Sequence, residues 1–84
     1  MDALDGNAIG GELFDHFGVE MTTARGSCRH CGATAQIAEL RVYPRAPGTV
    51  ARCPACGGVL MVLIAIGEIR RIDYQSFYLL QSAG

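Results

Sequence analysis

"CPACGG", residues 53–58, repeats in outline an earlier stretch, "CRHCG" at residues 28–32. Each sets two cysteines either side of two residues, Cys28 and Cys31 in the first, Cys53 and Cys56 in the second, and each is followed by a glycine, Gly32 or Gly57. Two residues between thiols let one tight turn aim both sulfurs at a single ion, while backbone N–H groups of the turn donate to the sulfurs. The glycine supplies a residue free to take positive φ where the turn ends. The pairs stand 21 residues apart, slightly above the spacing of about 15–20 common in paired CxxC metal sites.

The intervening segment explains how the pairs would meet. "IAELRVY" (37–43) alternates, with Ala38, Leu40 and Val42 on one side, and predicts a half-buried strand. "PRAPG" (44–48) turns the chain and "TVAR" (49–52) returns it to Cys53, leaving "GATAQ" (32–36) as a loop. Beyond the second pair, "VLMVLIAI" (59–66) is apolar on both faces and predicts a central strand covered on both sides. Gly67 and Glu68 make a tight hairpin into "IRRID" (69–73). "VEMTT" (19–23) reads as a first short strand, and "SFYLL" (76–80) fits a strand or a helical turn equally.

Four converging thiolates, Cys28, Cys31, Cys53 and Cys56, form a closed tetrahedral shell for which Zn²⁺ is the default occupant. Such a shell has no open position for water, so it points to structure rather than hydrolysis. His30 lies inside the first turn and reads as an exposed turn residue, since four sulfurs already complete the shell. Two alternatives remain. The turns resemble the iron turns of rubredoxins, but those have an aromatic-rich core, and this chain has three Tyr, three Phe and no Trp. "CPAC" also resembles a redox CxxC, a reading that leaves the matching pair unexplained and lacks a βαβ context.

Upstream, "LDGNAIGGELFDHFG" (4–18) predicts a short amphipathic helix with Ile9, Leu13 and Phe17 on one stripe, Phe14 beside them, Asp5 or Asn7 capping its start and Gly18 ending it. His16 falls off that stripe and reads as exposed. Gly10 and Gly11 weaken the helix by about 1 kcal/mol each, so it depends on packing. The expected fold is a single α+β domain over residues 1–84: a helix in 1–18 packed on an antiparallel zinc-ribbon β-sheet in 19–84, with a C-terminal hairpin and tail.

Charge is divided along the chain. Residues 1–24 hold five carboxylates and no arginine, whereas all seven arginines lie between Arg25 and Arg71 against Glu39, Glu68 and Asp73, a formal +4. A Zn²⁺ held by four thiolates lowers that to about +2. With 84 residues the core alone is marginal, so a metal staple fits the length. The opening "MDALDGN" carries no basic region before an apolar run, and the longest apolar run is eight residues, so the expected setting is cytoplasmic, with no membrane.

Taken together, "LDGNAIGGELFDHFGVEMTTARGSC", "CRHCG" and "APGTVARCPACGGVL" resemble a family of small actinobacterial proteins of unknown function described as zinc-ribbon-like. The resemblance covers nearly the whole chain, including the acidic N-terminal helix that ordinary ribbons lack. It implies the same four cysteines as ligands and brings no activity with it.

The apolar surplus of "VLMVLIAI" favours a zinc-stabilised protein-interaction module, with another protein or a second copy as partner. The alternative is a nucleic-acid-binding ribbon: Arg41 and Tyr43 share a strand face, Arg45 sits at the hairpin tip, and Arg25, Arg29 and Arg52 lie near the cysteines. An enzyme is not expected: no nucleophile–base arrangement, phosphate loop or dinucleotide glycine pattern occurs, and no small-molecule substrate is indicated.

Overall fold

Gly67 is the simplest place to enter the fold, because its φ of +59° opens a two-residue loop that pairs Ile66 with Ile69 and folds "VLMVLIAI" onto "IRRID". The computed structural model describes residues 4–45 and 48–80. In chain order they form β1 (Leu4–Asp5), a 3₁₀ turn (Gly6–Ile9), α1 (Gly10–Phe17), β2 (Arg25–Cys28), β3 (Thr34–Gln36), a second 3₁₀ turn (Ile37–Glu39), β4 (Arg41–Arg45), β5 (Gly48–Arg52), β6 (Val59–Ile66), β7 (Ile69–Asp73) and β8 (Phe77–Leu79). One short α-helix therefore accompanies two antiparallel sheets. The larger is a meander, β4-β5-β6-β7, with β1 added outside β4; the smaller has the order β3-β2-β8.

Several sequence expectations change here. "VEMTT" is irregular chain rather than a strand: the Glu20 carboxylate accepts from the Thr22 N–H at 2.9 Å and from its hydroxyl, which turns the backbone locally. "GATAQ" is not wholly a loop, since Thr34–Gln36 pairs with Ser27, Gly26 and Arg25. "IAELRVY" is a strand only from Arg41. Its first three residues form a 3₁₀ turn closed by a capping box, in which the Gln36 N–H donates to the Glu39 carboxylate at 2.8 Å. The three-residue period of that turn puts Ile37 and Leu40 on one side, and both are fully buried.

The helix expected over 4–18 is α-helical only from Gly10: Leu4–Asp5 pairs with β4, Asp5 caps the 3₁₀ turn rather than α1 by accepting from the Asn7 N–H at 3.0 Å, and Gly18 ends α1 with φ of +76°. Ile9 and Leu13 are buried and Phe17 packs on the core, whereas Phe14 is half exposed. Burial there joins Val42, Ala51, Leu60, Met61 and Leu63 of the larger sheet to Ile37, Leu40 and Phe77. Leu60 and Met61 both turn inward because the ladder slips between Ala51 and Arg52: Met61 faces Ala51, Val59 faces Arg52, and Leu60 is the extra residue. β6 is thus central but not covered along its length, for Ile64, Ala65 and Ile66 are exposed. The tail is a strand, with Phe77 buried against Gly26. Of "PRAPG", Arg45 pairs with Gly48, Pro44 faces Thr49, and residues 46–47 lie outside the described residues.

Candidate metal centre

Each CxxC turn closes a hairpin, and the two hairpins belong to different sheets. Residues 28–33 join β2 to β3 and residues 53–58 join β5 to β6. The turns repeat each other bond for bond. The Cys28 N–H donates to the Ala33 carbonyl at 2.8 Å and Gly32 N–H to the Cys28 carbonyl at 2.8 Å; in the second turn Cys53 donates to Gly58 and Gly57 to Cys53, both at 2.9 Å. Gly32 and Gly57 take φ of +80° and +78°, the left-handed region that a Cβ disfavours.

These turns bring Cys28, Cys31, Cys53 and Cys56 together, all four sulfurs lying within 4.8 Å of one another. Cys28 and Cys53 are buried at the strand ends, while Cys31 and Cys56 are exposed. The Cys28–Cys56 and Cys31–Cys53 sulfurs are 3.7 and 3.8 Å apart. A metal–sulfur bond of about 2.3 Å makes the edge of a regular tetrahedron about 3.8 Å, so these two pairs have the separation of sulfurs sharing one four-coordinate ion, and the full set lies within 4.8 Å. It is too open for disulfides, whose sulfurs sit about 2.05 Å apart.

Backbone N–H groups surround the sulfurs as the spacing requires. His30, Ala55 and Gly58 donate to Cys28, Cys53 and Cys56 at 3.3, 3.4 and 3.4 Å, and the Ala33 N–H serves Cys31. Cys28 and Cys31 are shifted in opposite directions. Desolvation works to raise the Cys28 pKa, yet the N–H groups of Cys31 and His30 and the neighbouring thiols outweigh it and bring it down to about 7. For Cys31 the Ala33 N–H favours the thiolate, but desolvation together with the sulfurs of Cys28, Cys56 and Cys53 pushes the thiol up to about 12. A divalent ion would replace the shared protons and relieve this competition.

The chain belongs to DUF6510, a family of unknown function whose model matches residues 1–83. No curated protein and no solved structure matches it. Membership in DUF6510 extends the relationship over the helix, both sheets and both turns, and assigns no activity to them.

The remaining residues singled out in the sequence fall elsewhere. His30 is exposed, as expected, but it is not idle: its Nε2–H donates to the Val59 carbonyl at 3.1 Å and its ring covers Gly58, so it ties the first turn to the second. Nothing in the cysteine spacing signals this contact. His16 stacks edge-on against Phe17 with centroids 4.9 Å apart and lies away from the cysteines. Arg52 donates to the Gly57 carbonyl at 2.8 Å and lies over the Tyr43 ring, and Arg29 lies over Tyr78 at 5.8 Å. A cleft of about 550 Å³ opens between α1 and the larger sheet, floored by Leu63, Ala65 and Ile72, with Asp15 and Arg70 ion-paired at 3.5 Å on its rim. No helix among the described residues is long and apolar enough to cross a membrane.

Proposed function

We propose that the chain is a zinc-binding, non-catalytic ribbon module that works by contacting another protein. The observation that carries the metal reading is the convergence of four sulfurs within 4.8 Å of one another, two of the pairs across the turns at 3.7 and 3.8 Å, built by two turns of matching hydrogen bonding. Zn²⁺ suits a closed four-thiolate shell that is structural, and Cys28, Cys31, Cys53 and Cys56 are its ligands. A shell filled by sulfur leaves no site for a reacting water, which supports a role without catalysis. Native mass spectrometry with elemental analysis tests this: one zinc per chain and a colourless protein are expected. A red, iron-loaded protein, or a compact metal-free one, overturns it.

The interaction role draws on apolar side chains that the fold leaves open, Ile64, Ile66 and Ile69 at the far end of the larger sheet. A second reading, nucleic-acid binding, is favoured by the outward face of the smaller sheet. There Tyr78 stands opposite Ser27, with Arg25 two residues along β2 and Arg29 over the ring. Fluorescence anisotropy with single- and double-stranded oligonucleotides at low salt separates the two, because phosphate contacts are strongest there. The interaction reading expects no binding that Arg29→Ala or Tyr78→Ala weakens.

A further inference from the structure

Sheet edges attract other strands, and most edges in this molecule are blunted. β1 covers the start of β4 and Pro44 removes a donor from the rest; β1 is two residues long, and β3 and β8 are three each. β7 differs. It ends the larger sheet, pairs with β6 alone and runs for five residues, Ile69–Asp73, without proline or bulge. The pair Ile66–Ile69 flanks a two-residue loop and so exchanges both hydrogen bonds, which by alternation sends the Arg71 and Asp73 backbone groups toward β6. The N–H and C=O groups of Arg70 and Ile72 therefore point outward.

The side chains along this edge form a pattern. Ile69 is 64% exposed and its cross-strand neighbour Ile66 57%. Arg70 leans to the helix side, where it meets Asp15 at 3.5 Å in a pair whose two ends are about two-thirds exposed. Arg71 alternates to the other face, and among the described residues no carboxylate lies within ion-pair distance of it. Two adjacent arginines between two isoleucines thus line a strand whose outer edge is unpaired among the described residues.

We infer that the β7 edge accepts an antiparallel strand from a partner protein whose residues opposite Arg70 and Arg71 are acidic and whose residues opposite Ile69 and Ile72 are apolar. This rests on the reading of the chain as a protein-interaction module and gives that module its surface and partner chemistry. Main-chain bonds to Arg70 and Ile72 supply affinity, and alternate side chains supply specificity. Read from its N-terminus, the incoming strand is basic opposite Asp73, then apolar, acidic, acidic and apolar. A second copy does not fit: antiparallel pairing of all five residues sets Arg71 against Arg71, and like charges directly opposite destabilise a ladder. No aromatic side chain lies on β7 to stack a base, and Glu68 at the loop tip opposes burial of this end in lipid.

The probe is the peptide Thr-Lys-Val-Glu-Glu-Val-Thr, with a control carrying Lys in place of the Glu opposite Arg71 alone, added to the metal-loaded chain and followed by amide hydrogen exchange in NMR. The Arg70 and Ile72 amides exchange freely without peptide and become protected with it. The control binds about tenfold more weakly, Arg71→Glu weakens the acidic peptide about tenfold, and Arg71→Glu with the control peptide regains affinity. The inference is overturned by unprotected amides up to about 1 mM peptide, by equal binding of both peptides, or by a dimer in light scattering that protects the same amides. A cellular partner that cross-links elsewhere removes this surface but leaves the interaction module standing. A chain that is monomeric and recovers no partner removes the module itself.

Discussion

His30 occupies one of the two variable positions inside a CxxC turn, yet its ring rests on the other turn, with its Cδ2 at 2.5 Å from where a Cβ on Gly58 would stand. His30→Ala removes the bond to the Val59 carbonyl and is expected to lower stability by about 1 kcal/mol, a fall in Tm of about 4–8 °C, with metal content unchanged in elemental analysis. Cys31→Ser or Cys56→Ser, in contrast, removes a sulfur from the exposed half of the cluster, and on the proposed zinc reading metal retention and cooperative melting are expected to be lost together. The thiols also set a pH dependence. Without metal, Cys28 has its folded pKa depressed from 9.0 to about 7, so its ionisation contributes stability present above pH 9 that is lost as pH falls through 7. Cys31 is raised from 9.0 to about 12, so its proton contributes stability present below pH 9 that is lost as pH rises through 12. Metal binding must expel that proton, and zinc affinity, measured by competition with a coloured chelator, is expected to fall by at least about tenfold per pH unit below pH 7.

At the level of elements, the parts legible in the sequence are those fixed by local chemistry. Gly67 fixed the β6–β7 hairpin, Gly18 the end of α1, and the repeated CxxC-Gly pattern the two turns. What escaped was decided by partners distant in the chain. Thr34–Gln36 looks like a polar loop until Arg25–Ser27 lies beside it, and "SFYLL" is a strand because β2 offers it an edge. The alternation of "IAELRVY" misled because a 3₁₀ turn also buries Ile37 and Leu40. Close approaches leave tests of these contacts. A Cβ at Gly6 would run into the Ile37 carbonyl, a backbone group that cannot step aside, whereas a Cβ at Gly26 would strike the Phe77 ring. Gly6→Ala and Gly26→Ala are each expected to destabilise by about 1–3 kcal/mol in denaturant melts. Gly11→Ala, where nothing lies within 4 Å, is expected to stabilise the helix by about 1 kcal/mol.

Across the whole molecule the cysteine cluster lies where two sheets of unequal strength meet. The meander buries Val42, Ala51, Leu60, Met61 and Leu63, while the smaller sheet contributes Cys28, Ala35 and Phe77. The first turn belongs to the weaker partner, and its sulfurs meet those of a turn anchored in the stronger one. Metal removal is therefore expected to act unevenly. With excess chelator under reducing conditions, hydrogen exchange should accelerate first at β2, β3 and β8, which then have only Phe77, Ala35 and short ladders to hold them. The β4–β5 and β5–β6 ladders, along which Val42, Ala51, Leu60, Met61 and Leu63 are buried, should retain the most protection. Readdition of zinc restores both sets because the turns are pre-shaped by their glycines and N–H groups. Uniform loss of protection would mean that the meander cannot stand without the metal, and unchanged protection in β2, β3 and β8 would mean that the core, rather than the ion, joins the two sheets.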